Sequence, residues 1–189
     1  MTTVERKLVT AVERLSRALR SARQAVATDH GLSLLQLQII EHVDDHPPSR
    51  VGVLADELDV TQPTISDALA SLAMKSIVDR TPDPEDRRAS LIVLTKAGKT
   101  LAAKIATQLE PMHEGERMTS PDTSGVALHV LLGEIRRLQQ IGVISINRSC
   151  LSCDHYKPPK GKQAARCLLL DETLTPQDLR VDCREHSTT

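Results

Sequence analysis

Apolar residues in the first segment recur at Val4, Leu8, Val12, Leu15 and Leu19, with Arg and Glu on the other faces. Spacings of four and three predict a long amphipathic helix from Val4 to about Ala27. Asp29-His30-Gly31 ends it, with Gly31 as the C-terminal stop. Ser33 is placed to cap a second helix, LLQLQIIEHV, which stops before Asp44-Asp45-His46-Pro47-Pro48. VGVLADEL reads as a short third helix and Asp59-Val60 as a tight turn. Thr61 then caps a fourth helix, QPTISDALASLAMK, with Pro63 tolerated in its first turn.

The fourth helix has two unlike faces. Ile65, Leu69 and Leu72 line one side and read as core. Pro63, Ser66, Asp67 and Ala70 point the other way. A helix that needs only solubility more often carries Glu and Lys there. Short side chains suit a helix that approaches a groove closely, as in a helix-turn-helix. IVDR and LIVL flank TPDPEDRRAS and predict a hairpin with Arg87 and Arg88 at its tip. Thr95 caps a further helix, KAGKTLAAKIATQLE. Gly115 to Gly125 reads as a polar loop, and Val126 to Gln140 as the last helix. From Ile146 onward no helical period persists, which sets a boundary near residue 145.

Composition narrows the function. The chain has 189 residues, 40% hydrophobic and 26% charged, ordinary values for a globular protein. A formal net charge of -1 means that any attraction to nucleic acid must come from a local basic patch. Phe and Trp are absent and Tyr occurs once, which argues against modules that stack single-stranded bases on aromatic platforms. The core must therefore be Leu, Ile, Val and Ala, which favours helices. No apolar run approaches the roughly 18 residues that span a bilayer, and the N-terminus carries no signal-peptide h-region. The expectation is a cytoplasmic protein without a membrane partner.

The runs LSLLQLQII, VGVLADELDVTQPTISDALASLAMKSIVDR and DPEDRRASLIVLTKAGKTL, in that order, resemble the MarR family of bacterial winged-helix regulators. The most specific piece is Asp86-Arg87-Arg88 followed by LTKAG, and the resemblance covers about residues 5 to 142. It implies a mainly α fold with a small β-hairpin wing, in which the winged helix-turn-helix spans about residues 33–95 of a domain running from 1 to 145. It also implies a homodimer with intertwined terminal helices that reads a palindromic double-stranded operator, and hence a bacterial, nucleoid-associated protein. Thr61, Gln62, Pro63, Thr64, Ser66 and Asp67 match the groove-facing start of the recognition helix, and Asp86 and Arg88 match the wing. The 146–189 tail departs from the pattern.

Chemistry at these positions is consistent with DNA. Backbone amides and hydroxyls at a helix start suit phosphate oxygens and base edges. Gln62 is long enough for bidentate contact with adenine, and Asp67 can accept from cytosine N4. Arg88 at a hairpin tip fits a narrow minor groove, with Asp86 placed to hold its guanidinium. Lys75, Arg80 and Arg87 are candidates for flanking phosphate contacts. Taken singly, Thr61 and Ser66 read as capping and solvation, and Asp67 as an orienting acid. The ordered set carries the DNA reading.

All four cysteines, Cys150, Cys153, Cys167 and Cys183, lie in the last quarter. In a reducing compartment such clustering reads as a metal site before disulfides. Four thiolates suit a [2Fe–2S] or [4Fe–4S] cluster, or tetrahedral zinc. With one close Cys-x-x-Cys pair and two isolated ligands, an iron–sulfur cluster is favoured over a zinc ribbon. Leu168-Leu169-Leu170 offers an apolar wall on which Leu174 and Leu179 can pack. His155 and His186 read as surface residues rather than ligands. A tail this small would draw much of its folding energy from the metal.

The resulting expectation is a repressor whose operator binding responds to a cluster in a metal-stapled tail. The main alternative is a regulator answering to a small aromatic effector, with a purely structural zinc site. An electron carrier or redox enzyme lacks a glycine fingerprint for nucleotides and a nucleophile–base pair. An adaptor without DNA binding would be indifferent to the loss of Arg88.

Overall fold

The computed structural model describes residues 3–86, 88–112, 120–161 and 163–188. The chain divides into two compact units, Met1–Gly115 and Glu116–Thr189.

The first unit is mainly helical, with a small antiparallel hairpin. Helix α1 (Thr3–Asp29) is the amphipathic helix that the spacing predicts, yet Ala27 is its buried residue. Val4, Leu8, Val12, Leu15 and Leu19 lie exposed. Gly31 takes φ +64° just beyond the helix end, a region where a side chain would be strained. Ser33 caps α2 (Leu34–Asp45) in a reciprocal box: its Oγ accepts the Gln36 N–H, and the Gln36 side chain accepts the Ser33 N–H. Helix α3 (Val51–Glu57) and helix α4 (Gln62–Met74) follow.

Strands β1 (Val78–Pro82) and β2 (Ser90–Leu94) pair antiparallel, with Val78 opposite Leu94. A bridge from Ser49 to Ile92 adds a partner on the far side of β2. Thr95 caps α5 (Lys96–Leu109), accepting from Gly98 N and donating to Ser76 O. Gly98 is obligatory there: a Cβ would sit 2.1 Å from the Ile77 carbonyl oxygen. The core gathers Leu37, Ile40, Leu54, Ile65, Leu72 and Ile105, all unexposed. Burying such side chains stabilises by about 1.5–3 kcal/mol each.

The second unit contains α6 (Pro121–Gln140), then β3 (Tyr156–Lys157), β4 (Ala165–Cys167) and β5 (Glu172–Leu174) in one antiparallel sheet. The last helix starts earlier than its apolar period suggests. Ser120 accepts the Thr123 N–H and Pro121 occupies the first turn, so a cap-and-proline signal stands inside what reads as a polar loop. The core of this unit is small: Leu132 of α6 is buried with Cys150, Leu151, Ala165, Leu174 and Leu179. Thus α6 and the residues beyond 145 share one core, and the division by contacts precedes the change in sequence pattern. Leu168-Leu169-Leu170 is largely exposed, yet Leu169 and Leu170 line the same cavity as Cys167, while Leu174 and Leu179 pack with Leu132. Gly125 lets a single 3-10 turn, Pro176–Asp178, lie directly on α6: a Cβ there would meet Gln177 Cγ at 2.8 Å.

Candidate nucleic-acid interface and thiol pocket

Helix α4 places its two faces as the sequence predicts. Ile65, Leu69 and Leu72 are at most 2% exposed and anchor the helix. Thr61, Gln62, Pro63, Thr64, Asp67 and Ala70 are exposed, and Ser66 is half-buried. Thr61 Oγ1 accepts the Thr64 N–H at 3.4 Å and lies 2.8 Å from Thr64 Oγ1, so both hydroxyls serve the cap while remaining at the surface. Gln62 lies along the start of α3, where its Nε2 would be 2.9 Å from a Cβ on Gly52. Glycine at 52 therefore leaves room for the side chain at the head of α4.

The turn between β1 and β2 is built on two carboxylates. Asp83 is buried. Its Oδ1 accepts the Glu85 N–H at 2.8 Å, and its Oδ2 accepts from Arg50 Nε at 2.7 Å. The Glu85 amide first, and then the Arg50 guanidinium, hold the Asp83 carboxyl below the usual carboxylate range. Arg50 is also the N-cap position of α3, so one ion pair ties the hairpin to the helix-turn-helix. Asp86 accepts the Arg88 backbone N–H at 3.0 Å, so it orders the tip through the main chain and leaves the exposed guanidinium to reach outward. Arg80 is likewise exposed. Arg87 lies outside the described residues. Lys75 is already engaged, its Nζ donating to the Gly31 carbonyl at 2.7 Å and to Gln36 Oε1 at 3.4 Å. It braces the α1–α2 turn against the end of α4, a role that sequence spacing does not reveal.

In the second unit the four cysteines line one cavity of about 440 Å³. Three chain segments are gathered there by main-chain bonds. Cys150 N donates to Arg180 O, Cys183 N to Arg148 O and Leu168 N to His155 O. The β3–β4 register sets Tyr156 opposite Cys167. All four are free thiols; Cys150 is buried and the others are half-buried. Burial pushes the Cys150 thiol up, and the Arg180 N–H, donating to its Sγ at 3.2 Å, opposes that. Among the described residues no group of three His, Cys, Asp or Glu is placed to hold one metal ion. The sulfurs surround a space rather than close on a point.

His155 lines the cavity with the thiols. His186 is turned to Ser152, its Nε2 lying 2.9 Å from Ser152 Oγ, and burial lowers its pKa. Sequence reasoning missed Arg180. Its backbone reaches Cys150, and its guanidinium reaches Cys183 Sγ at 3.6 Å. A lone Arg between two distant cysteines carries no spacing signal.

Comparison with known proteins agrees with this geometry. Residues 30–89 match the model of the MarR family. The chain is similar to the HTH-type transcriptional regulator YxaD of Bacillus subtilis, 36% identical over 63 residues, which is 33% of this chain and 44% of that protein. It is also similar to the HTH-type transcriptional repressor NicR of Pseudomonas putida, 33% identical over 78 residues, covering 41% and 49% of the two chains. The chain thus spans about half the length of these relatives, or less. Among solved structures, the transcriptional repressor CouR bound to a 23-mer DNA duplex aligns with a TM-score of 0.55 at 22% identity, over 72% of this chain and 96% of its own. That likeness is one of fold. No helix among the described residues is long and apolar enough to cross a membrane. The match to the MarR family thus lies in residues 30–89, and the winged-helix fold is shared with regulators of known structure.

Proposed function

We propose that this chain is a transcriptional regulator of the repressor type that binds double-stranded operator DNA as a homodimer. The observation that carries the reading is the exposed, short-chained face of α4 beside a hairpin whose tip presents Arg88. Its similarity to the repressor NicR and, in fold, to the DNA-bound repressor CouR supports it. The apolar row left exposed on α1 suits a second copy. Two such modules would meet successive major grooves about 34 Å apart, which fixes a palindromic site. Selection from random duplexes tests this. Enrichment of a palindrome, with affinity falling steeply as salt rises, is expected. Failure to enrich any palindrome would overturn it.

The tail is proposed to hold an iron–sulfur cluster on Cys150, Cys153, Cys167 and Cys183, and its state to modulate operator binding. Four free thiols lining one cavity support the reading, and the single Cys-x-x-Cys pair favours a cluster over a zinc ribbon. When bound, the cluster would supply a redox-dependent change of charge and stability. The chain's own residues would transmit it. Cys150, Leu174 and Leu179 share a core with Leu132 of α6, and the Pro176–Asp178 turn rests on Gly125. Val126, Val130 and Leu131 on the same helix are exposed and suited to a partner copy. Anaerobic purification with metal and sulfide quantification checks the cofactor. Iron and sulfide in similar amounts are expected, and a colourless zinc protein would overturn the cluster.

A further inference from the structure

The cavity walls carry a charge imbalance. Glu172, Asp178 and Glu185 line it together with the four thiols, and Arg180 is the single Lys or Arg among the described lining residues. Asp178 is committed elsewhere, accepting from the Thr175 backbone and hydroxyl. Arg180 alone touches two of the four sulfurs, by chemically separate groups. Its backbone N–H donates to Cys150 Sγ at 3.2 Å, and its Nη1 donates to Cys183 Sγ at 3.6 Å. The same Nη1 also reaches Glu185 Oε2 at 3.3 Å, and Cys183 Sγ lies 3.5 Å from that carboxylate. Arg180 is therefore shared between a ligand sulfur and a competing acid.

The geometry points to Arg180 as the residue that sets the reduction potential of the bound cluster, with Glu185 as its counterweight. The inference rests on the cluster reading of the same site. Reduction adds one electron, taken from an external one-electron donor of the viologen class. A cluster held by the four thiolates would take up that electron at iron, with no bond broken and no proton moved. The electron enters a site already rich in negative charge. A guanidinium on Cys183 Sγ favours the reduced, more negative state, because hydrogen bonds to sulfur and net charge are what tune such clusters. Glu185 draws the guanidinium away and adds a negative charge, so it favours the oxidised state. Arg180 acts through the sulfur and is a positioning residue. Its side chain and Glu185 are each about half exposed, 46% and 49%, which limits the effect by solvent screening.

The test is a redox titration of the full-length protein, purified anaerobically, monitored by visible absorption against reduced viologen. The variants are Arg180→Gln, Arg180→Lys and Glu185→Gln. Every Arg180 variant keeps the backbone N–H to Cys150, so only the side-chain contribution changes. At a fixed potential, Arg180→Gln should lower the reduced-to-oxidised ratio about three- to tenfold, where tenfold is about 59 mV for one electron. Arg180→Lys should lie between it and wild type. Glu185→Gln should shift the ratio the opposite way. If Arg180→Gln cannot hold iron, the sign of Glu185→Gln against wild type decides the matter. Iron-loaded proteins with coincident midpoints would overturn the Arg180 assignment alone. Wild-type protein lacking iron and sulfide would overturn both it and the cluster reading.

Discussion

The two units solve the same problem with different means. The winged unit encloses a broad core in which Leu37, Ile39, Ile40, Leu54, Ile65, Leu72, Ile92 and Ile105 are all unexposed. Among the described residues the second unit's core is Leu132 and five buried residues around it, one of them Cys150, and its strands have two or three residues. Strands so short cannot support themselves, and a core so small is a marginal source of stability. The winged unit should therefore fold by apolar burial alone, whereas the second unit should depend on what its thiols hold. The contrast separates a rigid reader from a conditional one.

Ways to break that contrast rank by size. Removing metal with a chelator, or replacing Cys150 and Cys167 by Ser, should abolish amide-exchange protection across residues 150–183 while leaving α2 and α4 protected. Equal loss in both would refute the division. Leu72→Ala should cost the winged unit about 2–5 kcal/mol in denaturant unfolding through the cavity it leaves, without changing iron content. Gly125→Val should cost the second unit about 1–3 kcal/mol, because the new side chain must displace the Pro176–Asp178 turn. Thermal unfolding followed by absorption of the bound cluster would register it. Arg88→Ala should weaken operator binding roughly tenfold and lower the salt slope, as expected when one cationic contact is lost. An adaptor that does not use DNA would show neither effect.

The smallest expected effect is on pH. Asp83 is held below its ordinary range by the Glu85 amide and Arg50. Its contribution to stability is complete above the unfolded carboxylate value of about 3.9 and is lost as pH falls through the lower folded value. Acid titration of stability should thus show a step below about pH 4 that Asp83→Asn removes. A profile identical in wild type and variant would exclude this anchor.

Local chemistry was legible in the sequence, and long-range pairing was not. Ser33, Thr61 and Thr95 cap their helices because each needs only an amide three residues ahead. The α4 faces follow from its period. Ser120 and Pro121 carried an equally local signal, hidden because the apolar stripe of α6 begins a turn later. Arg50 with Asp83, and Lys75 with Gly31, join residues far apart in the chain, and no periodicity marks them. Spacing alone suggests that Asp86 holds the Arg88 guanidinium, whereas its bond to the Arg88 backbone amide follows from the turn itself. The gathering of the four cysteines was readable from their confinement to the tail. Leu169 and Leu170 line the thiol cavity as the apolar run beside Cys167 suggests, but their exposure was not legible, since a run of leucines does not say how much of its turn faces solvent.

The most direct measurement is fluorescence anisotropy with the selected operator, comparing anaerobic cluster-loaded protein with oxidised and metal-free protein at a single salt concentration. A cluster that repacks Leu174, Leu179 and α6 should change operator affinity by about tenfold or more, the scale of ordinary coupling between sites. Three coincident binding curves would contradict the account.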